Sequence, residues 1–231
     1  MSIERVNSML MIRSHVVEYE GFRLDVKDTC LGRGITLLIG PNGAGKTTML
    51  ESLVGVRKQV QTEVLWREEP WTFPLKVAAK EQLAFMPDSP FLYKRKTIEF
   101  HRKLWEAFYP GFNSQTFQEY LVFFKLTSKK KVLQLSAGQR RLFYLSLCLA
   151  YSPQLLIVDE PFAFLDPLQS KRVFSLLEDY CTRNKEVVVI ISSHLIHWLQ
   201  KFNLNTIVLD NGSVVAQGHL KKTYDSYFQT P

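Results

Sequence analysis

Cysteine is scarce and scattered: Cys30, Cys148 and Cys181 are the only three in 231 residues, and none belongs to a CxxC or Cys/His cluster. This argues against a disulfide framework or a thiolate metal site and fits a reducing compartment. Long apolar runs are also missing. The longest, Leu142–Tyr151, includes Ser146 and Cys148 and reaches about half of the ~20 residues a spanning helix needs. The chain is therefore not expected to cross a membrane alone. Glu4, Arg5 and Arg13 interrupt Met1–Glu20, which breaks the signal-peptide pattern. No repeat, low-complexity linker or heptad run occurs. Nor is there a nucleic-acid module or a basic stripe interleaved with aromatics. The net charge is +7, with clusters at Lys94–Lys96 and Lys129–Lys131. Such a surface can meet nucleic acid, anionic lipid headgroups or a nucleotide. Without a module to favour one of these, it reads as a solvated face, and no nucleic-acid partner is expected.

Hydrophobic residues make up 46% of the chain and charged residues 22%, enough apolar material for a sizeable core without staples. The pattern alternates strands and helices. Ile35–Ile39 is a buried strand running into a glycine loop, and Lys46–Val54 reads as the helix after it. Leu155–Val158 is a second buried strand ending at Asp159-Glu160. Asp166-Pro167 then supplies an N-cap and a first-turn proline for a helix continued by Val173, Leu176, Leu177 and Tyr180. Val187–Ile191 is a third buried strand, with His194 just beyond it. Thr206–Leu209 and Ser213–Ala216 flank Asp210-Asn211-Gly212 as a hairpin. These signals imply an α/β domain with a largely parallel sheet. Residues from about Pro90 to Tyr151 are rich in Phe, Leu, Tyr and Lys at helical spacing and read as a helical insertion.

The strongest motif is Gly40-Pro41-Asn42-Gly43-Ala44-Gly45-Lys46-Thr47, followed by Thr48, which fits G-x-x-x-x-G-K-[ST]. Its glycines let backbone N–H groups curl around phosphate, and the helix behind it presents its positive end there. Lys46 can reach the β/γ-phosphates of a nucleoside triphosphate, and the Thr47 hydroxyl can ligate Mg2+. Asp159, delivered by its strand, can hold Mg2+ through water, and Glu160 can polarise an attacking water.

A third element is Leu135-Ser136-Ala137-Gly138-Gln139, which opens a helix before the Asp159-Glu160 strand. In order stand a phosphate loop, this LSxGQ segment, the acidic strand end, Leu165-Asp166 and Ser193-His194. Over essentially the whole chain this order resembles the ATP-binding subunit of ABC transporters. The resemblance implies a P-loop NTPase core with a mainly parallel sheet, an antiparallel β portion and a helical signature subdomain near residues 90–150, all in one domain over residues 1–231. It also implies ATP and Mg2+ as ligands. Two ATPase subunits, alike or different, would sandwich ATP, with Gly40–Thr48 of one facing Ser136, Ala137, Gly138 and Gln139 of the other. By the same likeness Glu160 is the general base and His194 contacts the γ-phosphate. Lys46 serves catalysis, and Asp166 links the two sites. Tyr19 is the expected adenine-stacking aromatic, with Phe22 as its competitor.

Two residues depart from the family pattern. Asp88, after Pro87, stands where a glutamine is usual, and is expected still to contact Mg2+. Phe164 stands where a small residue is usual, and packs either in the local core or at the subunit interface. The resulting expectation is an ATPase subunit docked on a separate membrane permease at the inner face of the cell membrane, through a surface that includes Phe91, Leu92 and Tyr93. The compact length suggests an exporter-type subunit. The competing reading is a soluble regulatory ABC module, or a subunit that binds ATP and hydrolyses it poorly.

Overall fold

The computed structural model describes residues 9–194 and 198–223. Its centre is built from the segments richest in β-branched and aliphatic residues: β3 (Gly34–Ile39), β7 (Leu155–Asp159) and β8 (Val188–Ser192). With β6 (Leu83–Met86) and β9 (Asn205–Asp210) they form a parallel array in the order β9-β3-β8-β7-β6. Both faces of this array are covered, so its strands are apolar at nearly every position rather than at alternate ones. Ile35, Leu37 and Ile39 enter one apolar cluster with Val173, Phe174 and Leu177. Leu38 enters the other with Met49, Leu50 and Leu53. The first cluster is closed by α5 (Ala137–Ala150) and α6 (Pro167–Arg183), the second by α1 (Lys46–Leu53).

The caps are those the sequence announces. Asp166 accepts a hydrogen bond from Gln169 N at the start of α6, with Pro167 in its first turn. The β9 hairpin to β10 (Ser213–His219) turns through Asn211 and Gly212 at φ 44° and 76°, the paired positive φ of a two-residue hairpin loop.

Beyond β10 the sheet becomes mostly antiparallel through β1 (Leu10–Tyr19), β2 (Phe22–Leu31), β4 (Gln61–Trp66) and β5 (Glu69–Pro70), giving ten strands among the described residues. The residue pattern did not delineate these strands. In β1 a bulge between Ile12 and Ser14 shifts the register, so the buried residues do not keep a simple period of two.

Between β6 and β7 lie α3 (Ile98–Phe108), α4 (Ser114–Phe123), a short 3-10 turn at Val132–Gln134, and α5. Their N-caps are Thr97, Asn113 and Ser136. The short α2 (Val77–Lys80) precedes β6. No helix among the described residues is long and apolar enough to cross a membrane.

Candidate nucleotide site

Adjacent parallel strands release their functional residues at the same edge of the sheet. β3 leads into Gly40, β6 into Asp88, β7 into Asp159-Glu160, and β8 into Ser192 and His194. That edge, beyond the carboxyl ends of the strands, is where open α/β sheets bind ligands. A cavity of about 420 Å3 opens there, lined by Asn42, Gly43, Gly45, Lys46, Thr47, Thr48, Tyr19, Asp88, Asp159, Glu160, Ala163, Phe164 and His194.

The phosphate loop needs its glycines. Gly45 has φ 102°, and a Cβ there would lie 2.6 Å from Phe22 Cζ, so both backbone and space refuse a side chain. Lys46 Nζ donates to Gly40 O at 2.9 Å and to Pro41 O at 3.0 Å. Burial pulls its ammonium below the ordinary lysine range, and the negative charges of Glu160 and Asp159 oppose that shift. Ala44, within the loop, is buried.

Asp159 is fully buried. Thr47 Oγ1 donates to its Oδ2 at 2.8 Å, and Ser192 Oγ donates to its Oδ1. Ser192 Oγ also accepts from Glu160 N at 2.9 Å. His194 Nδ1 lies 2.9 Å from Glu160 Oε2. That buried oxygen nevertheless has no hydrogen bond among the described residues, so the imidazole is near but out of line. Glu160 itself sits at φ 50°, a left-handed conformation that costs a non-glycine residue about 1–3 kcal/mol and marks functional sites.

Glu160 is held there by Ser192 Oγ, by Ala163 N, which donates to Glu160 O at 3.2 Å, and by Arg141, a residue the sequence reading did not select. Its guanidinium is 4% exposed and pairs with Asp88. Nη1 donates to Glu160 O at 2.8 Å and to Asp159 O at 3.4 Å. Arg141 Cζ also sits 5.5 Å from the Phe164 ring centroid. The available signal was a charged residue three positions after Gly138 and four before Leu145 on the buried side of α5.

Asp88 thus lines the cavity while one of its oxygens is engaged by Arg141. Phe164 is 75% exposed at φ 63°, which rules out the core-packing alternative for its ring. Tyr19 is half exposed, with its hydroxyl 3.2 Å from Thr48 Oγ1 and its ring 5.3 Å from that of Phe22. Arg57 stacks over it at 5.5 Å.

Ser136, Ala137, Gly138 and Gln139 are absent from the lining of this cavity. They form a reciprocal cap: Gln139 N donates to Ser136 Oγ and Ser136 N to Gln139 Oε1, both at 3.1 Å. A Cβ on Gly138 would come within 2.7 Å of Phe164 O. The start of α5 is thereby pressed against the Phe164 segment.

Residues 26–163 match the sequence profile of the family described as ABC transporter. The chain belongs to that family. Its relatives include the uncharacterized ABC transporter ATP-binding protein YhaQ of Bacillus subtilis, 28% identical over 82% of this chain and 63% of YhaQ. The molybdenum import ATP-binding protein ModC 1 of Azotobacter vinelandii is 29% identical over 89% of this chain and 58% of ModC 1. The chain therefore spans about three-fifths of the length of these curated relatives. A crystal structure of a nucleotide-free ATP-binding cassette from an ABC transporter shares the fold with TM-score 0.81 and 21% identity, over 97% of this chain and 96% of that one. Where relatives' names carry a direction it is mostly import, so the expected exporter-type character is unsupported.

Proposed function

We propose that this ABC-family chain binds ATP with Mg2+ and hydrolyses it, as the ATP-binding subunit that energises a membrane permease. The observation that carries this reading is the convergence of Lys46, Thr47, Asp159, Glu160 and His194 on one cavity. Mg2+ would be held by Thr47 Oγ1 and, through water, by Asp159 Oδ2, where it neutralises charge on the phosphates. The donors fit: two oxygens 2.8 Å apart, a buried carboxylate, and no group of three or more His, Cys, Asp or Glu among the described residues able to hold a metal alone. Such a site needs the phosphates as further ligands, the usual situation for Mg2+. Asp88 would meet the same ion with the oxygen that Arg141 leaves free. An Asp88→Ala variant with unchanged rate and Mg2+ dependence removes that assignment.

Lys46 leaves the carbonyls of Gly40 and Pro41 for phosphate oxygens, while the N–H groups of the loop and of the α1 start receive the remaining charge. Glu160 Oε2 takes a proton from the attacking water, and His194, beside it, steadies that water and the γ-phosphate. Tyr19 offers an exposed ring to adenine, its hydroxyl and the Arg57 stack fixing the ring plane.

The serine-led segment lies outside its own chain's cavity, which supports completion of the site by a second ATPase subunit. Ser136 and the Gly138 backbone would meet the partner's nucleotide, with Asp166 and Phe164 at the interface. An apolar groove of about 480 Å3 between α2 and the helical segment is lined by Phe91, Leu92, Tyr93, Trp105, Tyr109 and Tyr144. We assign it to the permease. Phe91 and Tyr93 are exposed for contact, while Leu92 packs inward. The chain then acts as one cassette, residues 90–150 forming its helical subdomain, and sits on the inner membrane face through that partner.

Steady-state ATP hydrolysis by the purified chain tests the reading, with recovery from membranes testing the permease. Loss of phosphate release in Glu160→Gln with ATP binding retained is expected; equal release in both proteins overturns it. One observation favours a subunit that binds ATP but hydrolyses it poorly, the engagement of Asp88 by Arg141, and the same assay decides between them.

A further inference from the structure

The two lysine clusters that read as separate solvated stretches are one surface. Four backbone hydrogen bonds stitch residues 94–99 to residues 128–133: Ile98 N to Lys130 O (3.0 Å), Glu99 N to Ser128 O (3.0 Å), Val132 N to Lys96 O (2.9 Å) and Leu133 N to Lys94 O (2.8 Å). An isolated antiparallel bridge joins Thr97 to Lys131. Lys94, Arg95, Lys96, Lys129, Lys130 and Lys131 are thereby held side by side, all exposed. None pairs with a carboxylate among the described residues. The chain carries 29 Lys and Arg against 22 Asp and Glu. These six exposed cations lie on one face of a chain whose formal net charge is +7. Held together, such charges repel one another, and an anionic surface relieves that repulsion.

Apolar side chains are interleaved with the cations. Leu133 is 54% exposed and Phe100 36%, and Lys96 Nζ lies 5.0 Å from the Phe100 ring centroid. Cations mixed with exposed aromatic and aliphatic side chains suit a bilayer interface, where rings enter the headgroup layer and ammonium groups meet phosphates. The groove described above includes Phe91 and Tyr93, which precede Lys94, so the patch continues from it.

We propose that this patch is a contact surface for anionic phospholipid headgroups, seating the helical segment against the membrane beside the permease. The placement rests on the reading that a permease occupies the adjoining groove, which turns this face towards a bilayer. Each Lys or Arg brought to an anionic leaflet multiplies partitioning by about fivefold. Binding is therefore set by the patch rather than by net charge spread over the molecule.

The test is co-sedimentation of the chain of residues 1–231 with vesicles of phosphatidylcholine alone, or of phosphatidylcholine mixed with phosphatidylglycerol, at low and high salt. The expected result is binding on the order of a hundredfold or more tighter to vesicles containing phosphatidylglycerol than to phosphatidylcholine alone, weakening as salt screens it. That is the effect of about fivefold for each of at least three cations. The triple variant K129A/K130A/K131A loses most of that binding and keeps its ATP hydrolysis. The control K185A/K221A/K222A removes the same charge elsewhere and keeps the binding. Equal binding to both vesicle types, no binding, or equal losses in the two triple variants overturns the proposal. Retention of a single-stranded RNA oligomer without vesicle binding also overturns it, in favour of nucleic acid. Hydrolysis measured on the same samples keeps the readings apart. Its absence with vesicle binding intact removes the ATPase reading alone, and failed vesicle binding with hydrolysis and permease recovery intact removes this inference alone.

Discussion

Replacing Arg141 by Met keeps a flexible apolar stem and removes the guanidinium that helps hold Glu160. Its bond to Glu160 O is a charge-assisted contact at 2.8 Å, backed by a longer one to Asp159 O at 3.4 Å. Glu160 O keeps its bond from Ala163 N at 3.2 Å, so the loss is that of hydrogen bonds from a charged group. A good one is worth about 1.5–3 kcal/mol, and Arg141→Met is expected to destabilise by about 2–4 kcal/mol. In a chain of this size each kcal/mol moves Tm by about 2–4 °C. The Asp88 side of the pair behaves differently, because its side chain is 52% exposed. The amide oxygen retained in Asp88→Asn still accepts from Arg141, and solvent screening at this half-exposed position holds the cost to about 1 kcal/mol or less. The activity prediction follows from the same geometry. With one of the contacts that hold its backbone at φ 50° lost, the Glu160 carboxylate is less firmly aimed, so kcat falls by about tenfold while KM for ATP changes little. Arg141→Lys recovers part of the loss, since one ammonium reaches one acceptor where the planar guanidinium reaches several. Urea unfolding and steady-state hydrolysis on the three variants read both effects. An Arg141→Met protein within about 0.5 kcal/mol of the parent, or an Asp88→Asn protein as unstable as Arg141→Met, refutes the clamp.

His15 is fully buried between Thr62 Oγ1 at 3.0 Å and Ser52 Oγ at 2.7 Å, and burial pushes its pKa from 6.5 to about 4. The folded state therefore disfavours the imidazolium. Its stabilising effect is complete above pH 6.5 and is lost as pH falls towards 4, by about 3 kcal/mol in total; in His15→Asn the unfolding midpoint should depend less on pH over that interval, and an unchanged slope rejects the assignment. Tyr19→Ala should raise KM for ATP by about 5- to 100-fold, the worth of one base–aromatic stack, with kcat little affected; if Phe22→Ala produces that increase instead, the competing aromatic is the stacking one. Phe164→Gly relieves a left-handed conformation while losing its contact with Arg141, so stability should move by no more than about 1 kcal/mol. Its ATP-dependent self-association should weaken, and unchanged association removes Phe164 from the interface.

Much of the site was legible because its parts are short-range. The phosphate loop, the acid pair after an apolar strand, the Asp166 and Ser136 caps and the Asn211-Gly212 turn each express a local rule of backbone geometry. Arg141 was not legible as a clamp, since its partner Asp88 lies 53 residues away and meets it only when the β6 end and α5 pack together. Ser192 was equally hidden, because a serine at the end of an apolar strand gives no sign that it bonds both Asp159 and Glu160 N. The antiparallel strands escaped the residue pattern where the β1 bulge shifts its register. The lysine clusters were visible as residues but not as one surface, because backbone pairing between distant segments brings them together.

The central claim is that the cavity beside Lys46 is half of a site completed by Ser136–Gln139 of a second subunit. The most direct test is analytical ultracentrifugation of Glu160→Gln with ATP and Mg2+, beside the same protein carrying Ser136→Arg. The account predicts an ATP-dependent dimer in the first and a monomer in the second, with ATP still bound by both. A Glu160→Gln protein that binds ATP and stays monomeric, or a dimer indifferent to Ser136→Arg, contradicts it.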